Sequence, residues 1–174
     1  MAHPSETLPV PGGEKPEQQV LQLLKSRGLT FAAAESCTGG LIAKRITDLP
    51  GASAVFLGGV VSYTDGVKAG VLGVPQELLD TCGAVSEPVA RAMAEGVRRI
   101  TGADLAVSVT GVAGPDRDDR GNEVGTVYVG FAHPGGTVVR KLDLGRGRER
   151  IRVSAAHHAF DMLRRYLTDL PIES

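Results

Sequence analysis

The chain has 174 residues, of which 42% are hydrophobic and 22% are charged, and its formal net charge is −1. These values are typical of one globular domain with a sizeable core, and they give no basic surface of the kind that binds nucleic acid or an anionic membrane. The two cysteines and four histidines lack the number and spacing of a disulfide framework or a metal site, and no apolar run reaches transmembrane length. We therefore expect a cytoplasmic protein that needs no metal or cofactor and binds neither nucleic acid nor membranes.

The first third of the chain predicts a helix, a strand and a second helix. Residues 1–15 are rich in Pro, Gly and polar residues, which is typical of a mobile leader. Residues 16–28 carry an apolar stripe at helical spacing, opened by a proline and closed by a glycine. Residues 29–34 form a short apolar run typical of a buried strand, and residues 41–48 return to helical spacing.

The middle of the chain predicts a strand followed by three helices. Residues 54–63 are apolar and β-favouring, with a Gly-Gly pair that marks a bend or a close backbone approach. Residues 64–72 and 75–81 each predict a short helix. A longer helix is expected over residues 86–102, with Ser86 as its N-cap, a proline in its first turn and a glycine at its end.

The last third predicts a central strand, a hairpin and a long helix. Residues 104–110 are the strand, and a charged loop at 116–123 is expected to be exposed and mobile. Residues 124–133 and 137–144 flank Pro-Gly-Gly, which indicates an antiparallel hairpin. From Gly147 onward an apolar face recurs at helical spacing, and His158 on that face is expected to be a packing residue.

This order of elements predicts an α/β fold, a three-layer α/β/α sandwich with a mixed, mostly parallel sheet and one antiparallel hairpin. We expect a single domain over residues 16–168, followed by a tail over residues 169–174. Ligand sites in open α/β sheets lie beyond the carboxyl ends of the strands. Three polar turns are expected there, at residues 36–40, 63–68 and 110–115, and we predict that they converge on one site.

The residues of these turns suggest a nucleophile and a base, although each also has a structural interpretation. Ser36 precedes a helix start, whose N–H groups stabilise negative charge, but Ser36 or Thr38 can equally serve as a helix cap. The only histidine near a strand end, His133, lies in the hairpin turn, so a Ser-His-Asp triad is poorly supported. Lys68 remains as the candidate base if burial lowers its pKa, whereas an exposed lysine has no such role.

Other residues of the turns extend this hypothesis. Tyr63 is placed to relay a proton or to position a ring, and Cys37 is a rival nucleophile that lacks a nearby base. The segment 110–115 is either a simple Gly-Pro turn or a loop of backbone donors for a phosphate or ribose.

Five segments occur in a specific order: AESCTGG, SYTDGVK, GAVSEPV, SVTGVAGP and VGTVYV. This set resembles the CinA C-terminal domain family, which includes PncC-like nicotinamide mononucleotide deamidases, and the resemblance covers roughly residues 16–167. It implies a three-layer α/β/α sandwich that forms a homodimer or a higher homo-oligomer. It also implies hydrolysis of the carboxamide of nicotinamide mononucleotide to nicotinate mononucleotide and ammonia, with no cofactor.

The resemblance also implies roles for individual residues. Ser36 matches the family's catalytic serine, Lys68 the lysine that activates it, and Tyr63 a tyrosine in the same site. The residues that match the substrate-binding turns are Cys37, Thr38, Gly39, Gly40, Thr110, Gly111 and Gly114.

One segment departs from the family's pattern. Many members have G-P-x-G-G and then Lys-Pro before V-G-T-V, whereas residues 116–123 here are DRDDRGNE. Arg117 or Arg120 is a candidate replacement for the missing lysine. The departure keeps two alternatives open: a serine amidase acting on another small amide, and a non-catalytic nucleotide-binding regulatory module.

Overall fold

The computed structural model describes residues 13–173, so most of the predicted leader lies outside the described residues. The helices are α1 Pro16–Arg27, α2 Leu41–Thr47, α3 Asp65–Gly70, α4 Gln76–Cys82, α5 Glu87–Thr101 and α6 Arg148–Leu167. The strands are β1 Phe31–Glu35, β2 Phe56–Val61, β3 Leu105–Gly111, β4 Thr126–His133 and β5 Gly136–Asp143.

The strands form one mixed sheet in the order β2-β1-β3-β4-β5. β1 pairs in parallel with β2 and β3, while β4 pairs antiparallel with both β3 and β5. Helices α1, α2 and α6 pack together on one face, and α4 and α5 pack on the other. The predicted α/β/α sandwich, its mixed sheet and its antiparallel hairpin are therefore confirmed. The sheet is not mostly parallel, however, because β3–β4 is a second antiparallel pairing beside two parallel ones.

The centre of the sheet is built from small side chains. β1 is buried along its whole length, with Ala33 facing the α6 layer and Ala32 and Ala34 facing the α5 layer. Gly59 of β2 is adjacent, and a Cβ there would lie 3.0 Å from the carbonyl oxygen of Ala33. The parallel pairing of β1 with β2 and β3 brings the carboxyl ends of the three strands side by side, which positions the three turns that follow them.

Most predicted boundaries agree with the structure to within two residues, and the predicted N-cap of α5 is confirmed. Ser86 is the N-cap residue of α5, yet its hydroxyl donates to the carbonyl of Gly83 rather than to the helix. The predicted packing role of His158 agrees with its position in α6, where burial lowers its pKa to about 4. The loop at residues 116–123 is largely exposed, as expected.

Candidate active site

Ser36 directly follows β1 and remains tied to the sheet. Its backbone N–H donates to the carbonyl of Val109 on β3, at 2.9 Å, so the β1–β3 ladder extends one residue beyond the strand. Ser36 is 9% exposed, so it lies just below the protein surface rather than in open solvent. The position matches the expectation of a ligand site beyond the carboxyl ends of parallel strands.

Lys68 brings a buried amine to this hydroxyl from α3. Its side chain is 1% exposed, and its Nζ donates to Ser36 Oγ at 3.0 Å and to the carbonyl of Ser62 at 2.7 Å. Burial lowers the pKa of Lys68, an effect that the charge of Asp65 and then Cys37 partly opposes. The structure therefore overturns the alternative of an exposed surface lysine, since a buried amine beside a hydroxyl has the geometry of a base and a nucleophile.

Cys37 is a poor candidate for the nucleophile. The side chain is 5% exposed, and burial raises the pKa of its thiol to about 11, partly opposed by its own backbone and by Arg152. A thiol that stays protonated at neutral pH is a weak nucleophile.

The start of α2 is occupied by a carboxylate that the sequence interpretation did not use. Glu35, the last residue of β1, is 1% exposed and accepts hydrogen bonds from the N–H groups of Ile42 at 2.8 Å and Ala43 at 3.1 Å. These helix-start N–H groups were predicted to donate hydrogen bonds to a bound anion or oxyanion. That prediction is wrong, because they already donate to Glu35. The cap interpretation of Ser36 and Thr38 is also wrong.

The structure instead makes Gly40 the N-cap residue of α2, with no side-chain cap bond. Gly39 and Gly40 have φ angles of 59° and 103°, a backbone region that favours glycine, and the N–H of Gly39 donates to the carbonyl of Ser36. The hydroxyl of Thr38 is buried without a hydrogen-bond partner within residues 13–173. The turn is thus a tight backbone loop around Ser36.

Arginines from the first two turns of α6 contact all three predicted turns. Arg152 donates to the carbonyls of Cys37 and Thr38, each at 3.0 Å. Arg148 donates to the carbonyl of Gly114 at 2.7 Å and to the hydroxyl of Tyr63 at 2.9 Å. The predicted convergence of the three turns is therefore confirmed by these contacts and by the Ser36–Lys68 contact.

The remaining predicted site residues lie near the serine–lysine pair but form no hydrogen bond to it within the described residues. Tyr63 is 55% exposed, and its hydroxyl accepts a hydrogen bond from Arg148 rather than contacting Ser36 or Lys68. Thr110 is 1% exposed and donates its hydroxyl to the carbonyl of Ala84, so this hydroxyl is already used. A Cβ at Gly111 would lie 2.8 Å from the carbonyl oxygen of Thr126, which makes glycine a packing requirement there.

The segment that departs from the family's pattern is anchored on one side of a cavity. Arg120 donates to the carbonyls of Leu79, Asp80 and Thr81 at the end of α4, so its guanidinium is already used and does not line the cavity. Arg117 pairs with Glu123 at 2.6 Å on the surface. The cavity has a volume of about 470 Å³ and is lined by Ala113, Pro115, Asp116, Arg117, Glu123, Val124, Arg146, Gly147 and Arg148.

Sequence reasoning missed Glu35, Arg148 and Arg152. Glu35 carried a usable signal, because a carboxylate at the end of an apolar strand and next to a helix start is a candidate cap. The two arginines carried none, since they lie 85 and 115 residues away from the groups they bind.

Two further observations bear on the class of protein. Within residues 13–173, no cluster of three or more His, Cys, Asp and Glu residues is suited to a metal ion. In the same part of the chain, no helix is long and apolar enough to cross a membrane.

The fold and the site together define an α/β/α sandwich with a buried serine–lysine pair at the carboxyl ends of its parallel strands. The chain belongs to the CinA C-terminal domain family, whose model matches residues 13–167. This membership confirms the resemblance drawn from the five segments.

The relatives include a protein from Caldanaerobacter subterraneus subsp. tengcongensis, described as competence-damage inducible, that is 53% identical over 160 residues. That match covers 92% of this chain but 39% of the relative, so the chain spans about two-fifths of the length of such relatives. Among solved structures, competence/damage inducible protein CihA from Agrobacterium tumefaciens is 37% identical, with a TM-score of 0.83, covering 88% of this chain and 93% of that one. A CinA superfamily protein from Klebsiella pneumoniae is 29% identical, with a TM-score of 0.85, covering 90% and 99%.

Proposed function

We propose that this protein hydrolyses the carboxamide of nicotinamide mononucleotide, giving nicotinate mononucleotide and ammonia, with Ser36 as nucleophile and Lys68 as base. The single observation that carries the proposal is the 3.0 Å contact between Lys68 Nζ and Ser36 Oγ, made by a lysine that is 1% exposed. Burial favours the neutral amine, which is the form that accepts a proton. The family resemblance supplies the substrate.

In the first half of the reaction, neutral Lys68 accepts the hydroxyl proton of Ser36 while Oγ forms a bond to the carboxamide carbon. The tetrahedral intermediate then collapses, and its C–N bond breaks. The proton held by Lys68 passes to the departing nitrogen, which leaves as ammonia. An ester between Ser36 and the pyridine carbonyl remains.

In the second half, a water molecule attacks the ester carbon and gives a proton to Lys68. The bond between the carbon and Ser36 Oγ breaks, and Lys68 returns that proton to the serine. The product is a carboxylic acid that ionises at neutral pH. Lys68 therefore acts twice, and its contact with the Ser62 carbonyl holds its amine at the same place in both steps.

The cavity beside Arg148 supports a phosphorylated substrate. Its lining holds three arginines, Arg117, Arg146 and Arg148, against the two carboxylates of Asp116 and Glu123, and guanidinium groups match the geometry of phosphate oxygens. The volume of about 470 Å³ lies within the range of ordinary small-molecule sites. We propose that the phosphate lies there, while the pyridine ring lies between Tyr63 and Ser36.

A second candidate is hydrolysis of a different small amide by the same residues. The observation that favours it is the Arg117–Glu123 pair, which places a carboxylate in the cavity where many family members have Lys-Pro. The pair engages Arg117, which is then less available to a phosphate, and the carboxylate of Glu123 itself repels one.

The test is ammonia release from nicotinamide mononucleotide by the wild type, by Ser36→Ala and by Ser53→Ala. Ser53 is an exposed serine outside the site, so its variant controls for a serine-to-alanine change. We expect release by the wild type and by Ser53→Ala, and a loss of more than about 10³-fold in Ser36→Ala. Wild-type release from nicotinamide or another amide, but not from the mononucleotide, would support the second candidate. Nucleotide binding without any release would overturn both and favour a binding module.

A further inference from the structure

Arg152 holds the backbone of the turn that carries Ser36. Its Nε donates to the carbonyl of Cys37 and its Nη2 to the carbonyl of Thr38, both at 3.0 Å, so one planar guanidinium binds two consecutive carbonyls. The side chain comes from the second turn of α6 and is only partly exposed. Such a two-point contact fixes the orientation of both peptide planes, which a single hydrogen bond does not.

The orientation of these carbonyls determines where the adjacent N–H groups point. In a trans peptide the C=O and the N–H of the next residue point in opposite directions. Because Arg152 draws the Cys37 carbonyl toward α6, the N–H of Thr38 points away from α6. The bond from the Gly39 N–H to the Ser36 carbonyl fixes the N–H of Cys37 in the same way.

The side of the turn away from α6 is the side on which Lys68 lies. Ala32 and Ala34 face the α5 layer, opposite α6, and side chains alternate along a strand. Ser36 continues this alternation, and its contact with Lys68 of α3 is on that side. The N–H of Thr38 is thus directed toward the face of the turn where Ser36 Oγ meets its base.

The N–H groups of three nearby residues are already used. The N–H of Ser36 donates to Val109, and those of Ile42 and Ala43 donate to Glu35. Neither Cys37 nor Thr38 donates its N–H to another residue within the range 13–173. These two groups are therefore available to an oxyanion.

We propose that Arg152 is a positioning residue that orients the Thr38 N–H toward the oxyanion formed when Ser36 is acylated. This inference rests on the proposed role of Ser36 as nucleophile, but it does not depend on which amide is the substrate. Among the residues that the structure describes, the hydrogen bonds of Arg152 go to backbone carbonyls, so it acts on the reaction through the turn.

The test is the rate at which a fluorophosphonate labels Ser36, because this reaction needs the oxyanion donors but not the natural substrate. Ser36 Oγ forms a bond to phosphorus, the P–F bond breaks, fluoride leaves, and Lys68 takes the serine proton. The variants are Arg152→Met, Arg152→Lys and, as a matched control, Arg150→Met, which removes an exposed arginine from the same end of α6. Urea unfolding of each variant measures the stability of the fold.

We expect Arg152→Met to slow labelling by about 10- to 100-fold, because misdirecting one oxyanion donor has a smaller effect than removing it. Arg152→Lys should lie between Arg152→Met and the wild type, and Arg150→Met should label at the wild-type rate. Guanidinium ion at low concentration should restore part of the rate of Arg152→Met, which a change in stability alone would not produce. For ammonia release, the loss should fall on kcat rather than on KM.

If the fluorophosphonate labels the wild type and labels Arg152→Met at the same rate, the proposed role of Arg152 is overturned. A slower rate in Arg152→Met that guanidinium does not restore, accompanied by an equal loss of folded protein, would also overturn it. An unreactive serine in the wild type would instead overturn the proposed nucleophile, and ammonia release would separate that outcome from a wrong substrate.

Discussion

Lys68 Nζ lies 3.0 Å from Ser36 Oγ and 2.7 Å from the carbonyl oxygen of Ser62, and its side chain is 1% exposed. Neither of these partners carries a charge. A buried ammonium is normally stabilised by a carboxylate, and without a bonded one the neutral amine gains in relative stability. Asp65 is the charge that opposes this effect most, and it does so less than burial lowers the pKa of Lys68.

The first prediction concerns the pH dependence of the rate. Since only neutral Lys68 accepts a proton, kcat/KM for ammonia release should rise with pH and level off below the ordinary lysine pKa of 10.5. Lys68→Arg should lose at least about 10³-fold at every pH, because its guanidinium stays protonated. Initial rates from about pH 6 to about pH 10 measure the rise. A rate that falls as the pH rises, or a Lys68→Arg variant as active as the wild type, would contradict the assignment of the base.

The second prediction concerns stability. Because the pKa of Lys68 is lower in the folded protein, the unfolded chain binds more protons between the folded pKa and 10.5. The free energy of unfolding of the wild type should therefore rise with pH in this window relative to that of Lys68→Met. Urea titrations of both proteins at several pH values measure the difference. The comparison uses the slope of the free energy of unfolding against pH. In Lys68→Met the Ser62 carbonyl loses its partner, but this changes the free energy by the same amount at every pH and leaves the slope unaffected. If the two free energies of unfolding change with pH in parallel, the fold does not disfavour the charged form of Lys68.

The third prediction concerns Glu35. Glu35→Gln keeps one acceptor oxygen but places an amide group against one of the two helix N–H groups, so α2 loses a cap bond and a favourable charge. We expect a loss of about 0.5–2 kcal/mol in the free energy of unfolding. Glu95→Gln, an exposed glutamate of α5, is the matched control and should be neutral within about 0.5 kcal/mol. Equal stabilities of the two variants in urea would argue against a capping role for Glu35.

The fold was largely predictable because its elements depend on local patterns. Alternating or continuous apolar runs predicted the strands, and helical spacing with Pro and Gly at the ends predicted α1, α5 and α6. The pairing of β4 with β5 followed from the Pro-Gly-Gly turn, whereas the pairing of β3 with β4 joins strands separated by a long loop and had no local signal.

The site was predictable only as a set of turns. Ser36 and Lys68 were identified, but the burial of Lys68 was not, because α3 has only six residues and no periodic stripe to fix its buried face. The contacts of Arg148 and Arg152 arise when the start of α6 packs beside the turns that follow β1, β2 and β3. Such contacts depend on the relative placement of whole elements, which no pattern in a single sequence specifies.

The fourth prediction concerns the loop at residues 116–123. Arg120→Met should destabilise the loop, because its guanidinium satisfies three carbonyls at the end of α4. Arg117→Met removes only an exposed pair with Glu123 and should change the free energy of unfolding by about 0–1 kcal/mol. Limited proteolysis, followed by mass spectrometry, should show faster cleavage within the loop in Arg120→Met than in Arg117→Met. Cleavage at equal rates would mean that the contacts of Arg120 do not hold the loop.

The fifth prediction concerns His158, which packs within α6 near Arg140, Asp161 and His157. Burial lowers its pKa from 6.5 to about 4, and the charge of Arg140 acts in the same direction, while Asp161 opposes it. Between these two values the unfolded chain binds more protons at this residue than the folded protein does, so its contribution destabilises the fold as the pH falls from 6.5 toward 4.

His158→Gln removes this proton uptake, so its free energy of unfolding should fall less steeply than that of the wild type over the same pH range. Urea unfolding of both proteins at matched pH values gives the two slopes, and titrating groups that do not interact with His158 cancel in their difference. At neutral pH the difference reflects packing alone. A slope difference of zero would mean that His158 takes up its proton in the folded protein as readily as in the unfolded chain.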